Sequence, residues 1–203
     1  MAIMKTTIFA SLAISTILAL SGCATTIAVS ERVQSFRLES HVEAPDTAIY
    51  HGRASNFEAN GLVGALIASA DDDEATILTK FLRKEEIDFP HIFYAQFSER
   101  LQGSSLGSKL QESAAFRMTL NVQQYGLGKG WGMANNMRPT ATVRVTLVDD
   151  SGKVIWSKLA GVGGATTELP IRKFDQWLGN PDALRGAYVQ VANMLADQLL
   201  DGM

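Results

Sequence analysis

The chain has 203 residues and a mass of 22.0 kDa, enough for one domain, and its 18 Lys+Arg against 21 Asp+Glu leave it close to neutral. That balance argues against a basic nucleic-acid-binding surface, and 46% apolar with 19% charged residues excludes a disordered tail. The single Cys excludes an intrachain disulfide and any multi-Cys metal or iron–sulfur site built by one chain.

Lys5 is the only charge before Glu31, and the apolar run Ile8 to Leu20 is followed by Ser21, Gly22 and Cys23. A positive start, a short apolar middle and small residues before a cut are the features of an export signal. The run would rise about 20 Å as a helix, short of the ~30 Å hydrocarbon core, which disfavours a permanent span. The tetrapeptide Leu20-Ser21-Gly22-Cys23 resembles the lipobox of bacterial lipoprotein precursors, and its Cys is the only one in the chain. The resemblance implies cleavage before Cys23, a diacylglycerol on its sulfur and acylation of the new amino terminus. Residues 1–22 are then the signal peptide, 23–30 the lipidated Cys with a short tether, and 31–203 a single domain. In enterobacterial lipoproteins an Asp after the lipidated Cys favours retention in the inner membrane. Ala24 and Thr25 follow here, so the resemblance implies the outer membrane, with the domain facing the periplasm. Cleavage would leave 181 residues with 17 basic and 21 acidic side chains.

Within the domain, the β-branched and aromatic mix from Glu31 to Ser40 and from Thr47 to Arg53 predicts two strands, with a turn at Glu43-Ala44-Pro45-Asp46. Phe57 to Glu86 reads as helical in its second half, where Ile77, Leu78, Phe81 and Leu82 recur at helical spacing. A second helix is expected from Pro90 to Gln102, with Phe93, Phe97 and Leu101 on one face and Gly103 as its stop. The period then shortens to two. Phe116, Met118, Leu120 and Val122 alternate with polar residues, as do Val143, Val145 and Leu147, which predicts strands with one wet face. Asp149-Asp150-Ser151-Gly152 supplies a turn and Val154 to Leu159 the returning strand. Asn180-Pro181-Asp182 gives a cap, a first-turn proline and an N-terminal acid for a helix to about Leu200, with Leu184, Tyr188, Val191 and Leu195 inward. The fold class expected is α+β, an antiparallel sheet of about five strands with two central helices and a C-terminal helix packed on it.

No coherent catalytic set emerges. Gly103-Ser104-Ser105-Leu106-Gly107 matches a nucleophile elbow, but an elbow follows a strand, whereas a helix precedes this one, and His41, His51 and His91 all lie upstream. The three His share no metal-ligand spacing, and Asp71-Asp72-Asp73-Glu74 lacks the glycine of a calcium loop. No metal and no cofactor is expected. The small residues of Gly61 to Ala70 suit close helix packing on the sheet, or a segment dipping into lipid or a partner groove. Tyr125-Gly126-Leu127-Gly128-Lys129-Gly130-Trp131-Gly132-Met133 reads as a glycine-rich hairpin loop. Its Trp either folds back on its own sheet or, with Leu127, Lys129 and Met133, contacts a partner protein or lipid surface. The function expected is a non-enzymatic envelope assembly, transport-accessory or structural binding module. Its partners are the membrane, through the lipid anchor, and an envelope protein, but no nucleic acid. The alternatives are an anchored periplasmic hydrolase and a carrier of a small apolar ligand.

Overall fold

The computed structural model describes residues 29–51, 72–129 and 136–203. The period-two alternation after Phe116 builds the longest strand, β3 (Phe116–Lys129), and that through Leu147 builds β4 (Asn136–Val148). The two pair antiparallel from Arg117↔Val148 to Lys129↔Met137, and β5 (Val154–Val162) returns along the other side of β4. The turn between β4 and β5 is organised by Asp149, whose carboxylate accepts from the Ser151 hydroxyl and from the Ser151 and Lys153 backbone N–H groups. The bond from the Ser151 side chain is the main reason its carboxyl titrates below the usual range.

On the other side of β3 lie β1 (Phe36–Glu43) and β2 (Ile49–His51), both parallel to it, β1 along its first half and β2 along its second. The wholly antiparallel sheet expected from sequence is therefore corrected to a mixed sheet, with six strands among the described residues once β6 (Arg172–Lys173) joins β4. Hydrophobic alternation specifies faces but not direction. The long connection from His51 to Phe116 is what permits parallel pairing. It carries α2 (Asp72–Lys84) and α3 (Phe89–Gly103). β5 leaves β4 at Ala141↔Val162 and β6 joins at Met137↔Arg172. Pro139, which has no N–H to give a ladder, stands between those two pairings. Arg138 and Thr140 on either side donate through their side chains to the Gly164 and Val162 carbonyls.

One face of the sheet is covered by helices. In α3, Asp88 caps by accepting from the His91 N–H, Phe93, Phe97 and Leu101 are buried as expected, and the helix ends at Gly103. The C-terminal helix, here α5 (Pro181–Leu200; α4 is given below), starts on Asn180, whose side chain accepts from the Ala183 N–H, and buries Leu184, Tyr188, Val191 and Leu195. α2 packs beside β2, where the Thr79 hydroxyl donates to Ala75 O and accepts from the Ala48 N–H. In the turn after α2, Glu86 stands in the left-handed region, and Arg185 of α5 donates to the Glu85 and Glu86 carbonyls. A cation at a helix C-terminus satisfies orphan carbonyls and complements the helix dipole.

The start of the domain also differs from expectation. Val29 is 0% exposed and begins a helical turn, α1 (Val29–Arg32), so packed structure starts inside the stretch read as a tether. The reason is spacing, since Val29 and Val33 are four apart and one turn of helix brings both to the core. The segment Gly61 to Ala70 lies outside the described residues.

Gly126 leaves no room for a side chain, because a Cβ there would overlap the Ile49 carbonyl of β2. Gly126→Ala is expected to lower stability by roughly 1–3 kcal/mol, as overpacking does. Hydrogen exchange should localise the loss to residues 49–51, and a protein with unchanged protection there would show that β2 tolerates the methyl group.

Candidate functional site

Of the four residues expected to meet a partner, two are described. Leu127 is 0% exposed and belongs to the core, so its side chain is removed from any contact surface. The loop expected from Tyr125 onward begins later than its glycines suggest, for Tyr125 to Lys129 continue β3 as paired strand. Lys129 is half-buried and ends the strand opposite Met137. Trp131 and Met133 lie outside the described residues, as does Cys23.

Beneath this end of the sheet is an aromatic array that the sequence reading did not assemble. Phe89, on the first turn of α3, stacks on Tyr125 at 5.7 Å and meets Tyr188 of α5 at 5.3 Å, while Phe93 and Phe97 extend the row along α3. The Tyr188 hydroxyl donates to the Gly126 carbonyl at 3.2 Å. Burial, and secondarily the neighbouring Tyr125, pushes the Tyr188 pKa far upward; burial, then Asp88, raises that of Tyr125. Both phenols therefore stay protonated near neutral pH, and that of Tyr188 serves as a hydrogen-bond donor to the sheet.

A second anchor was missed entirely. The short helix α4 (Phe174–Leu178) buries Trp177, whose indole N–H donates to the Met137 carbonyl at 3.0 Å, and the Arg172 guanidinium lies over its ring at 5.3 Å. The signal was present as Phe174, Trp177 and Leu178 at helical spacing before Gly179, but five residues are too few for periodicity to register.

The remaining sequence candidates are dispersed. Ser104 ends α3, its hydroxyl donating to Leu101 O and accepting from the Leu106 N–H, while Ser105 is exposed. His91 stands at the opposite end of α3, about 20 Å away along the axis at ~1.5 Å per residue. His41 is exposed on β1, and His51 falls in β2. Asp72 to Glu74 open α2, and Asp71 lies outside the described residues. Among the described residues no group of three or more His, Cys, Asp or Glu could hold a metal ion, and no helix is long and apolar enough to cross a membrane. One cleft of about 190 Å³ opens beside β1, lined by Arg37, Tyr94 and Gln111 among others. Another of about 500 Å³ lies between the C-terminal ends of α3 and α5, beside the Arg100–Asp197 ion pair. Neither is lined by the Phe116 to Val122 row, where Met118, Leu120 and Val122 are packed into the core.

No protein-family model and no curated protein matches the sequence. Solved structures give distant likenesses. Protein XCC0632 from Xanthomonas campestris, of the DUF330 family, is 12% identical over 83% of this chain and 82% of its own, with a TM-score of 0.40. Lipoprotein GNA1162 from Neisseria meningitidis is 17% identical over 79% of this chain and 99% of its own, with a TM-score of 0.28. A PelC dodecamer from Paraburkholderia phytofirmans is 18% identical over 54% of this chain and 76% of its own, with a TM-score of 0.29. At these scores the likenesses carry no argument about this chain.

Because the Tyr188 pKa is raised above its unfolded value of about 10, its contribution to stability is present below pH ~10 and is lost as pH rises beyond it. Tyr188→Phe should cost about 1 kcal/mol at pH 7 through the bond to Gly126, and should flatten the loss of stability above pH 10. Denaturant titrations at pH 7 and pH 11 check both effects. Equal slopes for the two proteins would exclude the buried phenol as a source of alkaline sensitivity.

Proposed function

We propose that this chain is a lipid-anchored protein of the bacterial outer membrane whose periplasm-facing domain binds another envelope component, as an assembly, transport-accessory or structural subunit, without catalytic chemistry of its own. The observation that carries the reading is the coincidence of a charged start, a short apolar run and Leu20-Ser21-Gly22-Cys23, with the chain's only Cys at the cut. Each buried acyl CH₂ contributes about 0.8 kcal/mol, and two or more chains hold a protein stably on a bilayer. Support for a binding role comes from the polar groups of the described residues. The hydroxyl that a hydrolase would need at Ser104 is committed to ending a helix, and the buried phenols are held protonated. A carrier of an apolar ligand is less well supported, since Met118, Leu120 and Val122, the row that would line its cavity, are packed into the core. The partner contact is assigned to the end of the β3–β4 pair, with Lys129 at its border and Trp131 and Met133 as anchors. Large aromatic side chains dominate such contacts.

Cys23→Ala should abolish both acylation and cleavage, read as a mass increase by the retained leader and loss from the membrane fraction. An unmodified Cys23 thiol in membrane-extracted mature protein would overturn the anchor. For the contact, Trp131→Ala should weaken association, read as crosslinking yield in intact cells, by ~2 kcal/mol or more, with the melting curve almost unchanged. A stability loss of ~3 kcal/mol or more with crosslinking intact would instead place Trp131 on its own sheet.

A further inference from the structure

We propose that the anchored domain stands on the sheet end that holds the β4–β5 turn, with the bilayer surface as its neighbour there, and turns the end holding Lys129 and Met137 away from the membrane. The inference rests on the reading of Cys23 as the lipidated residue and on where the packed chain begins. Val29 is buried, and its carbonyl accepts from the Val33 N–H, so the first helical turn is fixed to the core. The Val33 carbonyl accepts from Lys109 Nζ at 2.7 Å, and three residues later Phe36 pairs with Phe116 and bridges Leu110. Arg117 pairs with Val148, and Val148 with Val154, so the entry point of the chain and the β4–β5 turn share one end of the sheet. Lys129, Met137, Asn136 and Lys173 close the other end.

Chain lengths decide which end can meet the membrane. The step from Cys23 to Val29 reaches at most about 21 Å when fully extended. Val29 lies no more than about 17 Å from Phe36, one helical turn plus three extended residues. β3 has 14 residues and spans about 43 Å. Setting the Lys129 end on the bilayer would ask the tether to cover at least ~26 Å along the strand direction, more than it has. The Phe36 end asks for no such reach. That end also carries Val154, 55% exposed and one of two large apolar side chains so exposed among the described residues, next to the exposed cation Lys153. An apolar side chain flanked by a long cationic one suits the headgroup region.

The test uses the full-length lipidated protein, whose one native Cys carries the lipid, added to preformed phosphatidylethanolamine–phosphatidylglycerol vesicles. Lys153→Cys, Lys129→Cys and Lys173→Cys each receive a fluorescent donor, and energy transfer to headgroup-labelled acceptor lipid is measured. Transfer from position 153 should exceed that from 129 and 173 several-fold. Equal transfer from all three would describe a domain lying on its side and would overturn the orientation, as would greater transfer from 129. Failure of the anchor is read separately. Protein that does not float with the vesicles and retains a free Cys23 thiol overturns both readings, whereas floating protein with equal or reversed transfer overturns the orientation alone.

Discussion

The fold depends on one extra residue in β3. Met118, Leu120 and Val122 face the helices, and strict alternation would turn Tyr125 and Leu127 to the opposite side. The register shifts between Val122 and Gln124, so that Val122 pairs with Val143 but Gln124 with Thr142. Gln123 is left exposed at the bulge, and Tyr125 and Leu127 return to the helix face. A bulge of this kind flips the pleat once and tightens the local twist. Without it the two halves of β3 would bury opposite faces, and α5 could not pack Tyr188 under Gly126.

The same parity change explains the other face. Arg117, Thr119, Asn121, Arg144 and Thr146 are half-buried there and bond one another's neighbours, as in Thr119 Oγ1 to the Thr146 carbonyl and Asn121 to Glu43. Beyond the bulge, Gln124, Thr140 and Thr142 are buried on that side, with Gln124 donating to the Thr142 hydroxyl. A half-buried ladder of Thr, Asn and Arg needs such partners, because an unpaired buried polar group costs about 1–3 kcal/mol. Charge adds little here. Arg37–Glu39 and Arg100–Asp197 are both substantially exposed, and pairs of that kind contribute less than about 1 kcal/mol.

How much of this was legible depended on whether a signal was local. The caps at Asn180 and Gly103, the spacing Phe93-Phe97-Leu101 and the alternation of β3 and β4 are short-range patterns, and they placed the main helices and the antiparallel pairs within a few residues. Strand direction is not local, so β1 and β2 looked like a simple strand–turn–strand and became two parallel neighbours of β3. The glycines at 126 and 128 hid a strand because glycine ordinarily weakens one. At 126 the missing side chain is what lets β2 approach. The apolar spacing itself contained the clue, since Val122 to Tyr125 is three residues where two were expected. Within the candidate contact, the sequence gave Leu127 to the surface where the fold buries it, because alternate glycines conceal which way their neighbour points. The motif proposed for lipidation, Leu20-Ser21-Gly22-Cys23, is of another kind, since processing would read it as a linear segment that requires no fold.

What the folded domain does with its polar groups narrows how it can act. Ser104 ends a helix, Thr79 joins α2 to the entry of β2, Arg185 closes the turn after α2, and the Trp177 indole holds the start of β4. Each is a donor that in another setting could bind or activate a substrate. Here Ser104 bonds within its own turn, whereas Thr79, Trp177 and Arg185 each tie elements that are distant in sequence, up to 100 residues apart for Arg185 and Glu85. Long-range ties of this sort bring rigidity, and a rigid sheet transmits its orientation from one end to the other. On the proposal that Cys23 is lipidated, six residues before Val29, the domain would therefore be held by the end at which its chain enters the core. On the same proposal its useful property would be position: which surface it presents, at what height, and how little that surface can turn.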